Sequence, residues 1–121
     1  MYSAQVLDHF EHPRNAGAVT APDAQVKIEN PACGDTLQLA VKVAGGQIAE
    51  IGFLAKGCVA SIACASALTE LVRGRSLTRA RRLRREEIVQ AVGGLPSVSM
   101  HASHLALDAL TAALDQLARK S

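Results

Sequence analysis

The sequence predicts an α+β fold in which a three-stranded antiparallel sheet carries helices on one face. Three runs between residues 24 and 55 alternate apolar and polar residues, which is the period of a half-buried strand. From residue 59 the apolar residues recur at helical spacing instead. Strands followed by helices favour α+β over an alternating α/β fold. With 121 residues and 49 % apolar content, we expect one domain covering residues 1–121.

The N-terminal segment predicts a short amphipathic helix. Tyr2, Val6 and Phe10 fall at i, i+4 and i+8, and would form one apolar face. Pro13 cannot continue this helix, so residues 14–17 are expected to turn and residues 18–23 to be irregular.

Three strands are expected over residues 24–29, 37–43 and 48–55. The Ala-Gly-Gly-Gln sequence at 44–47 is typical of a tight hairpin turn with positive φ. Ile48 is out of phase with the apolar residues that follow it, which indicates a β-bulge in the third strand.

The second half of the chain predicts helices. A helix rich in small residues should run from Val59 to about Gly74, and Ser76 should cap a short helix after it. One or two further short helices should lead to residues 93–94. Leucines and alanines then recur over residues 106–117, which predicts a long amphipathic helix at the C-terminus.

Composition argues against several functional classes. One Tyr, two Phe and no Trp give little support for stacking on single-stranded nucleic acid, and a net charge of +2 does not require a polyanionic partner. Three cysteines make a disulfide framework improbable and suggest a reducing compartment, hence the cytoplasm. Neither a leader sequence nor a membrane-spanning run is expected.

Seven arginines lie close together between residues 73 and 85. We interpret them as a solvated helical face, partly balanced by Glu86 and Glu87. The alternatives are a nucleic-acid patch and a docking face for an acidic protein. The arginines are Arg73, Arg75, Arg79, Arg81, Arg82, Arg84 and Arg85.

Four residues distant in sequence are candidate metal ligands. Cys33 and Asp35 lie in a Pro-Ala-Cys-Gly-Asp loop before the second strand, and Cys58 lies between the third strand and a helix. Neighbouring strands of a hairpin bring these two places together. His101 precedes the last helix. Two thiols, an imidazole and a carboxylate suit tetrahedral Zn²⁺ or iron, although buried free cysteines are common without any metal.

The remaining cysteine and histidines are assigned ordinary roles. Cys64 is six residues after Cys58 on the same predicted helix, so it points elsewhere and is expected to be a core thiol. His9 and His12 are expected at the surface or at the end of the first helix. His104 is expected at an exposed helix position.

Four motifs are spread in order along nearly the whole chain: Pro13-Arg14-Asn15-Ala16-Gly17, Asn30-Pro31-Ala32-Cys33-Gly34-Asp35, Lys56-Gly57-Cys58, and Leu95-Pro96-Ser97-Val98-Ser99-Met100-His101. In their order and spacing they resemble the NifU-like (IscU/SufU-type) family of iron–sulfur cluster assembly scaffolds. The resemblance implies a scaffold or carrier rather than an enzyme. It implies that Cys33, Asp35, Cys58 and His101 hold a transient [2Fe–2S] cluster, iron or Zn²⁺, with Lys56 as a further site residue.

The same resemblance implies a cysteine desulfurase as sulfur donor, apo iron–sulfur proteins as recipients, and chaperones as partners. The sequence departs from the family at the third cysteine, where Ala102 stands, and in the chaperone-recognition stretch at residues 95–99. A homodimer sharing two thiolates from each chain would restore four sulfur ligands.

Other functions remain open from the sequence. The chain could be a zinc-binding regulatory or sulfur-relay partner of a desulfurase, or an interaction module that acts through its arginines. A metal-free Cys–His hydrolase has the least support, because no neighbouring residue in the sequence would orient the histidine.

Overall fold

The computed structural model describes residues 2–30 and 34–120. In this part of the chain, five α-helices and three β-strands follow one another with one short 3₁₀ helix at Ser97–Ser99. The elements are α1 (Ala4–Glu11), β1 (Ala24–Asn30), β2 (Asp35–Ala44), β3 (Gln47–Lys56), α2 (Val59–Val72), α3 (Leu77–Arg81), α4 (Arg85–Ala91) and α5 (His101–Lys120).

The three strands form the predicted antiparallel meander, with β2 in the centre. Leu39 of β2 pairs with Val26 on one side and with Phe53 on the other. Gly45 and Gly46 join β2 to β3, and their φ angles of 59° and 73° are those of a two-residue hairpin turn that side chains disfavour. The predicted turn is therefore confirmed.

The predicted β-bulge is present in β3. Lys42 pairs with Glu50 and Val43 pairs with Ile48, which leaves Ala49 without a partner across the strand. The extra residue reverses the alternation, so Ile48 turns into the core and is fully buried.

Helices α2 and α5 cover the apolar face of the sheet, as predicted. Helix α5 contacts β1 and β2, and α2 contacts β3. The inner side of α2 consists largely of alanine, serine and one cysteine, so its backbone can approach the sheet closely. The largest fully buried apolar side chains are Leu37, Leu39, Ile48, Leu68, Ile88 and Leu110.

The inner face of α1 differs from the prediction. Val6 is fully buried and His9 is 6 % exposed, whereas Phe10 is 38 % exposed. The buried face of α1 thus contains Val6 and His9, which are three residues apart, and not Val6 and Phe10, which are four residues apart. His9 is a core residue and not a surface or capping residue, because its Nδ1 lies 2.8 Å from the buried Ser66 hydroxyl.

Helix α1 is capped at both ends, by Ser3, which was not predicted, and by His12, which was. The Ser3 hydroxyl accepts the Val6 N–H at its start. His12 is the residue that ends it, donating its backbone N–H to Asp8, which confirms the capping role. Ser76 caps α3 in the same way by accepting from Arg79.

In residues 2–30 and 34–120, no helix is both long enough and apolar enough to cross a membrane.

Candidate metal centre

Three candidate ligands from three different elements meet at one end of the sheet. Asp35 is the first residue of β2, Cys58 is the residue that precedes α2, and His101 is the first residue of α5. Because β2 and β3 are antiparallel, the start of β2 lies beside the end of β3 and hence beside Cys58. The predicted convergence of these three residues is confirmed.

The donor atoms lie close enough together to share one ion. Asp35 Oδ2 is 3.2 Å from His101 Nε2 and 3.7 Å from Cys58 Sγ, and Sγ is 3.9 Å from Nε2. Donor atoms of the three residues all lie within 4.8 Å of one another. A thiolate, an imidazole and a carboxylate are ligands that Zn²⁺ and iron both accept.

Asp35 is nearly inaccessible, and its carboxylate is held by several donors. The Ser61 hydroxyl donates to Oδ2 at 2.6 Å, and the Cys58 backbone N–H donates to Oδ1 at 3.3 Å. Burial pushes the pKa of Asp35 upward, but the hydrogen bonds from Ser61, His101 and Cys58 outweigh burial and hold this pKa below its usual value. The carboxylate is therefore charged and oriented before any metal arrives.

Ser61 belongs to the site and was not predicted as a site residue. Besides its bond to Asp35, its Oγ lies 3.3 Å from Cys58 Sγ. The signal in the sequence was its spacing, since a residue three positions after Cys58 lies on the same side of the first turn of α2. Its hydroxyl can receive the Cys58 S–H while donating to Asp35.

Gly57 allows the carboxylate to approach the start of α2. Its φ of 147° lies in the region that favours glycine. A Cβ at this position would lie 2.2 Å from Asp35 Oδ1. Both the backbone conformation and the space therefore require glycine between β3 and Cys58.

His101 has to change its hydrogen bonding before it can bind a metal. Nε2 faces a carboxylate oxygen, which only accepts, so this contact is a hydrogen bond only when Nε2 carries a proton. Coordination needs the lone pair of this nitrogen. A neutral ring that binds metal through Nε2 must therefore be the Nδ1–H tautomer.

The other predicted site residues are placed as follows. Cys33 lies outside the described residues. Lys56 is exposed at the end of β3, where it pairs across the strand with Thr36. His104 is exposed on α5, as expected.

Cys64 is a core thiol, which confirms the prediction. Its side chain is fully buried, and burial together with the nearby Cys58 raises the pKa of Cys64 to about 12. A thiol that stays protonated at neutral pH is a poor metal ligand.

Comparison with known proteins decides the family. Residues 1–121 match the family described as the NifU-like N terminal domain. The chain belongs to this NifU-like family.

Relatives of this NifU-like chain cover it from end to end. It is 40 % identical over 121 residues to iron-sulfur cluster assembly scaffold protein IscU 1 of Archaeoglobus fulgidus, covering all of this chain and 79 % of that protein. It is 41 % identical over 117 residues to IscU of Haemophilus influenzae, covering 93 % and 92 %. Both relatives are named as scaffolds, which agrees with the expectation of a non-enzymatic scaffold or carrier.

A solved structure supports the NifU-like fold independently. A putative scaffold protein for the SUF system from Fervidobacterium islandicum superposes with a TM-score of 0.78 at 19 % identity, covering 93 % of this chain and 96 % of that one. The α+β architecture is thus shared with that solved structure.

Proposed function

We propose that this protein is a scaffold or carrier on which a [2Fe–2S] cluster or its iron is assembled and then released. The observation that supports this most directly is the convergence of Asp35, Cys58 and His101 at a solvent-accessible edge. The His101 side chain is 28 % exposed, so the site can be reached from solvent. A site that must hand over its contents benefits from such access.

The proposed ligands are Cys33, Asp35, Cys58 and His101. A carboxylate is a harder and weaker ligand for iron in a cluster than a thiolate, so Asp35 would favour release. Sulfur would come from a cysteine desulfurase, with apo iron–sulfur proteins as recipients. Chaperone handling, a homodimer that shares ligands and a reducing cytoplasmic location belong to the same proposal.

Lys56 is included in the proposal as a surface cation two residues before Cys58. Its side chain is exposed, so it can meet a partner or an incoming anionic sulfur species without reorganising the core. Lys56→Ala should leave stability unchanged and slow the transfer of sulfur from the desulfurase. Unchanged transfer would remove Lys56 from the site.

Anaerobic reconstitution with iron and sulfide tests the cluster proposal. We expect charge-transfer bands above about 300 nm, which arise from thiolate and sulfide ligation of iron. Cys58→Ser and Cys33→Ser should each weaken these bands strongly. Cys64→Ser is the matched control, because it removes a thiol from the core and should leave the bands intact.

Zinc binding is a second candidate function, favoured by the mixed donor set. Sulfur, nitrogen and oxygen donors all occur in structural and regulatory zinc sites. Protein purified with stoichiometric zinc that blocks cluster assembly would support a regulatory or sulfur-relay role. Zinc-free protein that takes up iron and sulfide would support the scaffold.

The interaction-module alternative gives a different result. If the cysteines had no function, Cys33→Ala and Cys58→Ala would leave desulfurase binding, metal content and spectra unchanged. A folded double variant with normal metal content would exclude both metal-based proposals.

A further inference from the structure

A second concave surface lies at the end of the sheet opposite the candidate metal centre. It is a groove of about 760 Å³ between α3 and the last two turns of α5. Val43 in its floor is eight residues along β2 from Asp35, which corresponds to about 26 Å of strand. A molecule in this groove would not touch the candidate ligands.

The floor of the groove is aliphatic. It is formed by Val43, Leu77, Leu114 and Leu117, and all but Leu114 are partly exposed. Removing these aliphatic side chains from water favours binding of a partner, by about 25 cal/mol per Å² of apolar surface buried. The groove therefore favours an apolar side chain as its occupant.

The rim of the groove is mainly basic. Arg81 pairs with Asp115 at 2.9 Å, and Lys120 Nζ donates to the Asp23 carbonyl oxygen. Arg82 is exposed and makes no ion pair within residues 2–30 and 34–120. The Asp23 carboxylate lies in the lining, where it accepts the Val43 N–H at 2.7 Å.

We propose that this groove docks an acidic amphipathic helix of a partner protein. Two turns of α5 span about 11 Å, which matches a docked helix with apolar anchors at i, i+4 and i+8. Acidic residues beside the anchors would meet Arg82 and the partly paired Arg81 and Lys120. Arg81 and Arg82 of the arginine-rich segment would thus bind the acidic partner, a role that is independent of the metal centre.

Two other occupants fit the groove less well. A continuous anionic lipid surface would bring negative charge onto Asp23 and Asp115 as well as onto the arginines, whereas a peptide can be neutral at those places. A second copy could offer the exposed Leu7 and Phe10 of α1, but the Asp8 beside them is already paired with Arg14 at 2.6 Å. The Asp8 carboxylate of a second copy would thus be less available to Arg82.

Nuclear magnetic resonance on the metal-free, isotope-labelled chain tests the proposal. The probe is a synthetic helical peptide of about 15 residues with leucine at i, i+4 and i+8 and glutamate at the flanking positions. We expect shifts confined to residues 23, 43, 77–82 and 114–120, which line or border the groove, and binding that weakens as salt is raised. The same peptide with lysine in place of glutamate should not bind.

Two charge reversals give a matched comparison. Arg82→Glu should weaken peptide binding by about tenfold or more, while Arg79→Glu should leave it unchanged, because both arginines are exposed near α3 but only Arg82 lines the groove. Since the chain is metal-free, loss of the cluster function would not affect this result.

Several outcomes would overturn the proposal. One is the absence of shifts at about 1 mM peptide. Another is equal weakening by both charge reversals. Binding to phosphatidylglycerol vesicles that Arg82→Glu abolishes would assign the groove to anionic lipid. Self-association that Phe10→Glu abolishes would assign it to a second copy.

Discussion

Ser61 is the residue on which the order of the candidate metal centre depends most. Its hydroxyl lies between the two candidate ligands that differ most in hardness, the Asp35 carboxylate and the Cys58 thiol. Without it, the buried carboxylate would keep donors only from Cys58 and His101. One of these, His101 Nε2, is lost when the imidazole turns its lone pair to a metal.

We predict that Ser61→Ala lowers metal affinity as well as stability. The lost bond to a charged acceptor should cost about 1.5–3 kcal/mol of the free energy of unfolding. Zn²⁺ titration with a competing chelator should show weaker binding, because the carboxylate is no longer held in place. Ser66→Ala is the control on the same helix, where the buried hydroxyl bonds to His9 and the Arg14 N–H. It should destabilise the fold but leave metal affinity unchanged, and an equal loss of affinity in both variants would contradict this role.

Substitution of Gly57 by alanine should be costly for two reasons, backbone strain and a steric clash, and a second variant can separate them. Gly57→Ala combines a φ of 147° with a Cβ 2.2 Å from Asp35 Oδ1, so the carboxylate must move. Gly94→Ala has a φ of 96° and nothing within 4 Å, so it has only the strain, about 1–3 kcal/mol. Denaturant unfolding should show a larger loss for Gly57→Ala, and only this variant should lose metal binding. Equal behaviour of the two variants would mean that the approach of Asp35 to Gly57 has no function.

At the scale of single elements, α1 is attached to α2 by a buried histidine. The Ser66 hydroxyl accepts the Arg14 N–H and can donate its own hydrogen to His9 Nδ1. This arrangement suits a neutral imidazole. Burial, and then the charge of Arg14, lower the pKa of His9, while Glu70 and Asp8 oppose them.

The buried histidine predicts how stability changes with acidity. Since the folded pKa is below the ordinary value of 6.5, the unfolded chain binds the proton first as pH falls. The contribution of His9 is complete above pH 6.5 and is lost progressively below it. Urea midpoints at a series of pH values from 8 to 5 should therefore decline below 6.5. His9→Gln should flatten this decline, and an unchanged decline in that variant would assign it to other groups.

The strands were predictable and the inner face of α1 was not, for a physical reason. Alternation of side chains is a property of the strand itself, and even the bulge was visible because Ile48 broke the alternation. In α1 the position that packs against α2 is filled by His9, which pattern analysis counts as polar. Its burial depends on Ser66, a residue far away in the chain that supplies a hydrogen bond.

In the metal centre, too, features set by the strand pattern were predictable, and features set by one side chain's hydrogen bonds were not. Asp35 and Cys58 could be brought together from sequence because a hairpin places the ends of its strands side by side. Ser61 could not be assigned, because its role depends on the direction of one hydroxyl in the first turn of α2. The role of Cys33 as a metal ligand stays a prediction, because this residue lies outside the described residues.

At the scale of the whole molecule, metal binding should stabilise the fold without being required for it. A ligand that binds only the folded state adds about 2.7 kcal/mol to the free energy of unfolding when its free concentration is a hundred times its dissociation constant. We expect Zn²⁺ to raise the melting temperature of the protein, and Cys58→Ser to remove this shift. After removal of metal with a chelator, the far-ultraviolet circular dichroism should remain that of the folded chain. Unfolding on chelation would contradict the view that hydrogen bonds within the protein hold the site together.

The hydrogen bonding around Asp35 also bears on repeated use of the molecule. Among the described residues, no buried side-chain nitrogen or oxygen lacks a partner. Release of a bound metal or cluster would thus leave the fold intact, because the charged Asp35 carboxylate keeps hydrogen bonds from a hydroxyl, a backbone amide and a ring nitrogen. A domain that folds only with its metal bound would have to refold after each release. This protein would not, because its fold does not depend on the metal.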